Sequence, residues 1–227
     1  MKKIFTFLCL FIIANTGFAQ QFHFGLKVSP GIYWITTDAT GTESNGANMG
    51  FNYGAVAEFA FSDNYAFATG VDVSNKAGSF AVKIDKGLTY NADMNLQYLE
   101  IPLTIKMKTN EIGYFKYFGQ FGLGLGFNLS GSYTADVFKS ELGRDTSYSI
   151  PKTKFGSTSP STSPVALDAS LIRASLIIGA GLEYNLTGST SILAGVSWDN
   201  GFLKILQDKK GPDMLLKGIL LNVGILF

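Results

Sequence analysis

Cysteine and histidine are nearly missing from this chain of 227 residues, which carries one of each, Cys9 and His23. Cys9 falls inside an N-terminal segment expected to be removed, so the mature protein has no thiol. Disulfides, thiolate nucleophiles and cysteine-based metal sites are excluded together. One histidine cannot build an ordinary zinc site, and catalysis is left with a single imidazole as base or orienter. No cofactor is expected. Charge of one sign is lacking as well: 18 basic and 17 acidic residues give a net +1, which leaves no electrostatic footprint for nucleic acid or a polybasic membrane contact. Beyond the first twenty residues no apolar run approaches the ~20 residues that a spanning helix requires.

What the N-terminus does contain is a basic start, Lys2-Lys3, an apolar run from Ile4 to Ala14, and a short stretch ending Gly17-Phe18-Ala19. This is the pattern of a Sec-type signal peptide with small residues before the cleavage point. The expected division is therefore a signal peptide over residues 1–19 and one exported domain over residues 20–227. The apolar run is too short for a transmembrane anchor.

Glycine and aromatics are abundant. The chain has 26 Gly, 19 Phe and 10 Tyr against only 15% charged residues, a composition that suits lipid-facing β-strands. Between Leu99 and Lys108 the residues Leu99, Ile101, Leu103, Ile105 and Met107 share one face, and Glu100, Thr104, Lys106 and Lys108 share the other. That two-residue period is a strand period. The same alternation predicts strands over Phe22–Trp34, Gly50–Phe61, Tyr65–Asn75, Leu99–Lys108, Tyr114–Ser130, Leu171–Tyr184, Thr190–Asp199 and Leu215–Phe227. The expected fold is all-β: an eight-stranded, up-and-down antiparallel transmembrane β-barrel. An even strand count places both chain ends on the periplasmic side.

Connection lengths agree with that topology. Ser62–Asn64, Thr109–Gly113 and Asn185–Ser189 are short, as periplasmic turns are; Ile35–Met49, Lys76–Asp93, Gly131–Ser170 and Asn200–Met214 are long and polar, and are predicted to be extracellular loops. The third holds a Ser/Thr/Pro-rich tract at 157–164, read as a surface loop rather than a linker. Trp34, Tyr65, Tyr114, Tyr117, Tyr184 and Trp198 lie near strand ends, where aromatic girdles form. A sugar-binding aromatic platform at Tyr33, Trp34 or Trp198 is the weaker reading of these positions.

Eight strands enclose a lumen that side chains fill. The inward positions Lys27, Glu58, Asp72, Glu100, Lys106, Lys116, Arg173 and Glu183 are predicted to form an interior charge network of mixed sign, since buried charges require partners. A narrow solute or ion path is the competing reading. His23 with Ser29 and Asp72 lacks the spacing of a catalytic triad, and no catalytic or metal residue is assigned. Gly122, Gly124 and Gly126 lie in a strand without a βαβ unit, so they are packing glycines rather than a phosphate loop. A soluble lipocalin-like ligand carrier would show the opposite polarity, with charges outside and hydrophobes within.

Several strings carry a family resemblance across the mature chain: the Phe18-Ala19-Gln20 signal end, Phe24-Gly25-Leu26-Lys27, Tyr98-Leu99-Glu100-Ile101-Pro102-Leu103, Gly119-Gln120-Phe121-Gly122-Leu123-Gly124, and the terminal Phe227. On these the chain resembles the PorT-like outer-membrane β-barrels of the phylum that contains Bacteroides. The resemblance implies an eight-stranded barrel integral to the outer membrane, in contact with outer-membrane lipid and lipopolysaccharide. It further implies that Phe227 is an assembly signal read by the barrel assembly machinery, and it raises a secretion complex as a partner, because the family's namesake is associated with type IX secretion.

Overall fold

The computed structural model describes residues 22–38, 41–84, 88–141, 144–154, 169–206 and 213–227. The expected signal peptide, Cys9 and the Ser/Thr/Pro-rich tract lie outside the described residues. Among the described residues there are ten strands: β1 (Phe22–Thr37), β2 (Thr42–Ser44), β3 (Ala47–Ser62), β4 (Tyr65–Ile84), β5 (Leu88–Lys108), β6 (Phe115–Glu141), β7 (Arg144–Lys154), β8 (Ile172–Thr187), β9 (Thr190–Gly201) and β10 (Met214–Leu226). Eight of them close an antiparallel barrel in the order β1-β3-β4-β5-β6-β8-β9-β10 and back to β1. The short β2 adds to the edge of β4, and β7 adds to β6.

Alternation sets which side chains meet lipid. On β3, Phe51, Tyr53, Phe59 and Phe61 are exposed on the outside while Asn52 and Glu58 are buried within. On β10, Ile219, Leu221, Val223 and Ile225 face out and Leu220 and Leu226 face in. Each expected strand is present, and the periplasmic turns are tight. Gly113 and Gly188 take φ of +68° and +58° in two of them, a left-handed backbone that glycine adopts without steric cost.

The extracellular side departs from expectation. Much of Lys76–Asp93 and Gly131–Ser170 is strand rather than loop, because β4 continues to Ile84, β5 begins at Leu88, β6 reaches Glu141 and β7 follows; β2 lies within Ile35–Met49. The physical reason is an inversion of polarity along unbroken strands. On β5 the inward residues Tyr90, Ala92, Met94, Leu96 and Tyr98 are buried, and the outward ones are Thr89, Asn91, Asp93, Asn95 and Gln97. From Leu99 onward the two faces exchange character. The upper part of the wall projects beyond the lipid into water, so it packs like a soluble protein, and a rule written for lipid-facing strands reads it as polar loop.

A bulge marks this change. Gln97 pairs with Ser130 but Tyr98 with Asn128, leaving Leu129 as an extra residue in β6. The extra residue shifts the alternation, which turns Tyr133 and Ala135 inward, where both are buried. They join Tyr33, Ile35, Phe80, Met214 and Leu216 in an apolar core that fills the extracellular half of the lumen. The connection after β9 folds into the same core. Ile205 and Leu206 are buried there, fixed by the Ser170 amide donating to the Ile205 carbonyl at 2.8 Å and the Ile205 amide donating to Met214 at 3.0 Å.

Candidate functional site

Below the apolar core the lumen is polar and charged, and β5 displays its layers in order: Glu100, then Thr104, then Lys106 and Lys108 toward the periplasm. The lower layer is a four-membered ring of alternating charge. Lys106 Nζ lies 2.6 Å from Glu58 Oε1 and 2.5 Å from Glu183 Oε1; Lys108 Nζ lies 2.6 Å from Glu58 Oε2 and 2.9 Å from Glu183 Oε2. The ring joins β3, β5 and β8 across the lumen. Lys106 and Glu58 are each only 1% exposed, so burial is tolerable only because every charge has two opposite neighbours. The Phe118 ring lies 4.0 Å from Lys106 Nζ and adds a cation–π contact.

The upper layer draws one charged residue from each of β4, β5, β8 and β9. Arg173 spreads its guanidinium between Glu100 Oε1 at 2.9 Å and Asp199 Oδ2 at 3.0 Å. Lys76 reaches the same two carboxylates at 3.1 and 2.5 Å. Ser74 donates to Glu100 Oε2 at 2.6 Å, and Arg173 also donates to Ser175 and to the Leu216 carbonyl, each at 3.2 Å. Lys27 and Asp72 form a separate pair at 2.8 Å. Two cations face two anions in each layer and the extra pair is balanced, so the lumen carries these charges with no net excess.

Between the layers is a cavity of about 80 Å³ lined by Ser29, Asn52, Thr104, Gln120, Ser197 and Asn222 among others. Ser29 donates to Asn222 Oδ1 at 2.8 Å and Asn222 donates to Ser197 at 2.9 Å. Asp72 borders the same space, and its Oδ1 has no protein hydrogen bond. A chamber of this size with these polar groups in its lining accommodates ordered water.

Of the residues predicted for the network, Glu58, Lys106 and Glu183 meet in the lower ring, Glu100 and Arg173 in the upper, and Lys27 meets Asp72. Lys116 does not join them. Its side chain is 42% exposed at the periplasmic mouth, where it lines an opening with His23, Lys108 and Glu183, and its ion pair is with Glu111 at 3.8 Å. Tyr33 also corrects an expectation: it is fully buried in the lumen, where its hydroxyl donates to Asn52 at 3.0 Å and its ring lies 4.9 Å from Lys76 Nζ, so it offers no face to a sugar. Sequence reasoning missed Lys76, Lys108 and Asp199. Continuing the alternation Asp72-Ser74-Lys76 beyond Asn75 points Lys76 inward, and the polar face of β5 already contains Lys108.

His23 and Ser29 both point inward from β1 but stand six positions apart, roughly 20 Å at strand rise. Ser29 and Asp72 are engaged with Asn222 and Lys27. The three residues do not form a triad. Among the described residues no group of three or more His, Cys, Asp or Glu side chains is placed to hold a metal ion. The arrangement fastens staves across a narrow lumen and fills it.

A closed antiparallel barrel with an apolar outer band and a charged interior is an integral outer-membrane β-barrel. Residues 18–158 match the family model described as outer membrane protein beta-barrel domain, and the chain belongs to that family. No curated protein matches the sequence. Solved structures with a similar fold include Neisserial surface protein A, at 11% identity and TM-score 0.44, covering 90% of this chain and 95% of that one. The attachment invasion locus protein Ail of Yersinia pestis is 16% identical at TM-score 0.32, with coverage of 90% and 98%. OprG of Pseudomonas aeruginosa is 10% identical at TM-score 0.41, with coverage of 91% and 95%.

Proposed function

We propose that this protein is a non-conducting outer-membrane barrel that serves as a rigid anchor for an extracellular wall, with a structural or interaction role at the cell surface. The observation that carries the reading is the double closure of the lumen. Two charge-paired layers span it in the membrane, and an apolar core containing Tyr33, Leu96, Tyr98 and Leu216 fills it above. Among the described residues, only β4, β5, β6 and the attached β2 and β7 rise beyond the other staves. The wall is thus one-sided and fixed to a barrel whose interior holds it still.

The finer parts of this reading follow the resemblance to PorT-like barrels. Export by the Sec pathway over residues 1–19 and recognition of Phe227 by the assembly machinery belong to it, as does an accessory role beside a secretion complex. Phe227 is 42% exposed on the lipid side with its ring 5.5 Å from that of Phe24, a placement compatible with a terminal signal. In the string that carries the resemblance, Glu100 ties the upper charge layer, and Pro102 sits where the β4–β5 ladder skips from Thr69–Leu103 to Asp72–Glu100.

The test is conductance in planar bilayers of protein whose folding is verified by heat-modifiable gel mobility. Folded protein with no conductance above the bare bilayer is expected. Steady ohmic channels from wild-type barrels would replace this reading with that of a narrow solute or ion path.

A further inference from the structure

The chamber between the two charge layers has a lining of unequal sign. Six charged residues border it: Glu58, Asp72, Glu100 and Asp199 against Lys27 and Lys106. Lys76 and Arg173, which balance the upper layer, stand outside that lining. They hold Asp199 through Oδ2 alone, at 2.5 and 3.0 Å, and Lys27 holds Asp72 through Oδ2 at 2.8 Å. Oδ1 of each aspartate has no protein hydrogen bond, although the two residues are only 6% and 5% exposed. A buried carboxylate oxygen without a donor bears the full desolvation cost unless water or an ion meets it.

The hydroxyls of the lining add acceptors. Ser29 gives its hydrogen to Asn222, and Thr104 gives its own to the Ala68 carbonyl at 3.2 Å, so each keeps only lone pairs to offer. Water brings as many acceptors as donors and does not redress a net negative lining; a cation does. A volume of about 80 Å³ holds several water-sized spheres, enough for an ion that keeps part of its hydration shell. Calcium gathers more oxygen ligands and magnesium demands near-octahedral geometry, whereas two free carboxylate oxygens beside neutral hydroxyls suit a single charge. A dication would also sit against Lys27 and Lys106. Leu226 lines both this chamber and the periplasmic opening that holds His23 and Lys108, so the way in is from the periplasm, past that side chain.

We propose that the lumen chamber binds one monovalent alkali cation, held at the free oxygens of Asp72 and Asp199 directly or through water, with Ser29 and Thr104 completing its oxygen shell. The ion neutralises part of the lining and fastens β4 to β9 across the lumen. The site does not depend on the surface role proposed above: conductance tests that role and ion-linked stability tests this one, so either can fail alone.

The experiment compares urea midpoints of the full folded barrel in potassium, sodium and choline chloride at one ionic strength, which holds screening constant. An ion that binds the folded state alone stabilises it by mass action. At about 200 mM salt, potassium or sodium is expected to raise the midpoint by about 0.5 M urea over choline. The variant Lys27→Gln/Asp72→Asn replaces the ion pair with a neutral one of similar size. It is expected to keep its heat-modifiable mobility and to lose the difference between salts. Equal wild-type midpoints in the three salts overturn the proposal, as does a difference that survives in the variant. A midpoint raised by millimolar calcium or magnesium but not by the alkali ions overturns the assignment to a monovalent ion. If the variant does not fold, wild type titrated with thallous nitrate and followed by thallium NMR decides: a saturable shift displaced by potassium supports the site, and a shift that rises linearly without displacement overturns it.

Discussion

Tyr98 and Glu100 occupy successive inward positions of β5, and the lumen changes character between them. Tyr98 is fully buried in the apolar core, whereas Glu100 binds Lys76 and Arg173. The two closures are therefore stacked, and they touch where the Tyr33 ring lies 4.9 Å from Lys76 Nζ. Tyr98→Ala removes an aromatic side chain from the upper one, a truncation that costs about 3–5 kcal/mol in packed cores. The variant is expected to unfold at lower urea concentration and still show no conductance, because the charge layer beneath stays intact. Conductance from this single substitution would mean that the ion pairs do not close the lumen.

The lower ring makes a sharper demand, since each lysine there serves both carboxylates. Lys106→Met leaves two buried acids sharing Lys108. Breaking a buried pair by removing one partner costs about 3–5 kcal/mol. Lys106→Met/Glu183→Gln returns the layer to one cation and one anion and is expected to recover most of the loss. Urea midpoints of the two variants settle it: a double variant no more stable than the single one would show that packing of the lysine stem, not charge balance, holds the layer.

Arg173 is the only residue of the upper layer that binds two acids, a hydroxyl and a backbone carbonyl at once. A lysine ammonium cannot reproduce a planar fork. Arg173→Lys keeps the charge and is expected to lose about 1–3 kcal/mol, the scale of one or two charged hydrogen bonds. An unchanged denaturation midpoint would reduce the arginine to a point charge.

How much of this was legible beforehand divides at the level of Tyr98. Below it the sequence pattern is that of lipid-facing strands, so the eight staves, the inward direction of Glu58, Glu100 and Lys106, and the tight turns could all be read from alternation. Above it the wall leaves the lipid and the sign of the pattern reverses, so Tyr90 passed for a loop residue and Met94 and Leu96 fell outside the predicted strand, although their period of two continues unbroken. Partner choice was not legible at all. That Arg173 meets Asp199, or that Lys106 sits between Glu58 and Glu183, depends on tilt and register across strands distant in the chain.

Two glycines of β6 separate close packing from open space. A Cβ on Gly126 would sit 3.3 Å from Arg173 Cβ and from Glu100 Oε1, whereas one on Gly119 would meet only Met107 Cε, at 3.9 Å. Gly126→Val forces its methyl groups into the upper charge layer and is expected to prevent formation of the heat-modifiable species. Gly119→Ala is expected to fold as wild type. If both fold with equal stability, the upper layer is looser than its distances indicate.

The polarity inversion places the membrane boundary on β5 and allows a direct test with one substitution made twice on the same face. Leu103 is the middle of the outward apolar run from Leu99 to Met107, and Asn95 is four outward positions above it. Arginine on the lipid face costs about 2–4 kcal/mol near the bilayer midplane and falls toward zero at the interfaces. Leu103→Arg is thus expected to lower the stability of the folded barrel in lipid vesicles by that amount. Asn95→Arg, outside the hydrocarbon, is expected to change it by less than about 0.5 kcal/mol. Equal penalties at the two sites would place Asn95 inside the hydrocarbon, and the wall would then be part of a longer transmembrane span.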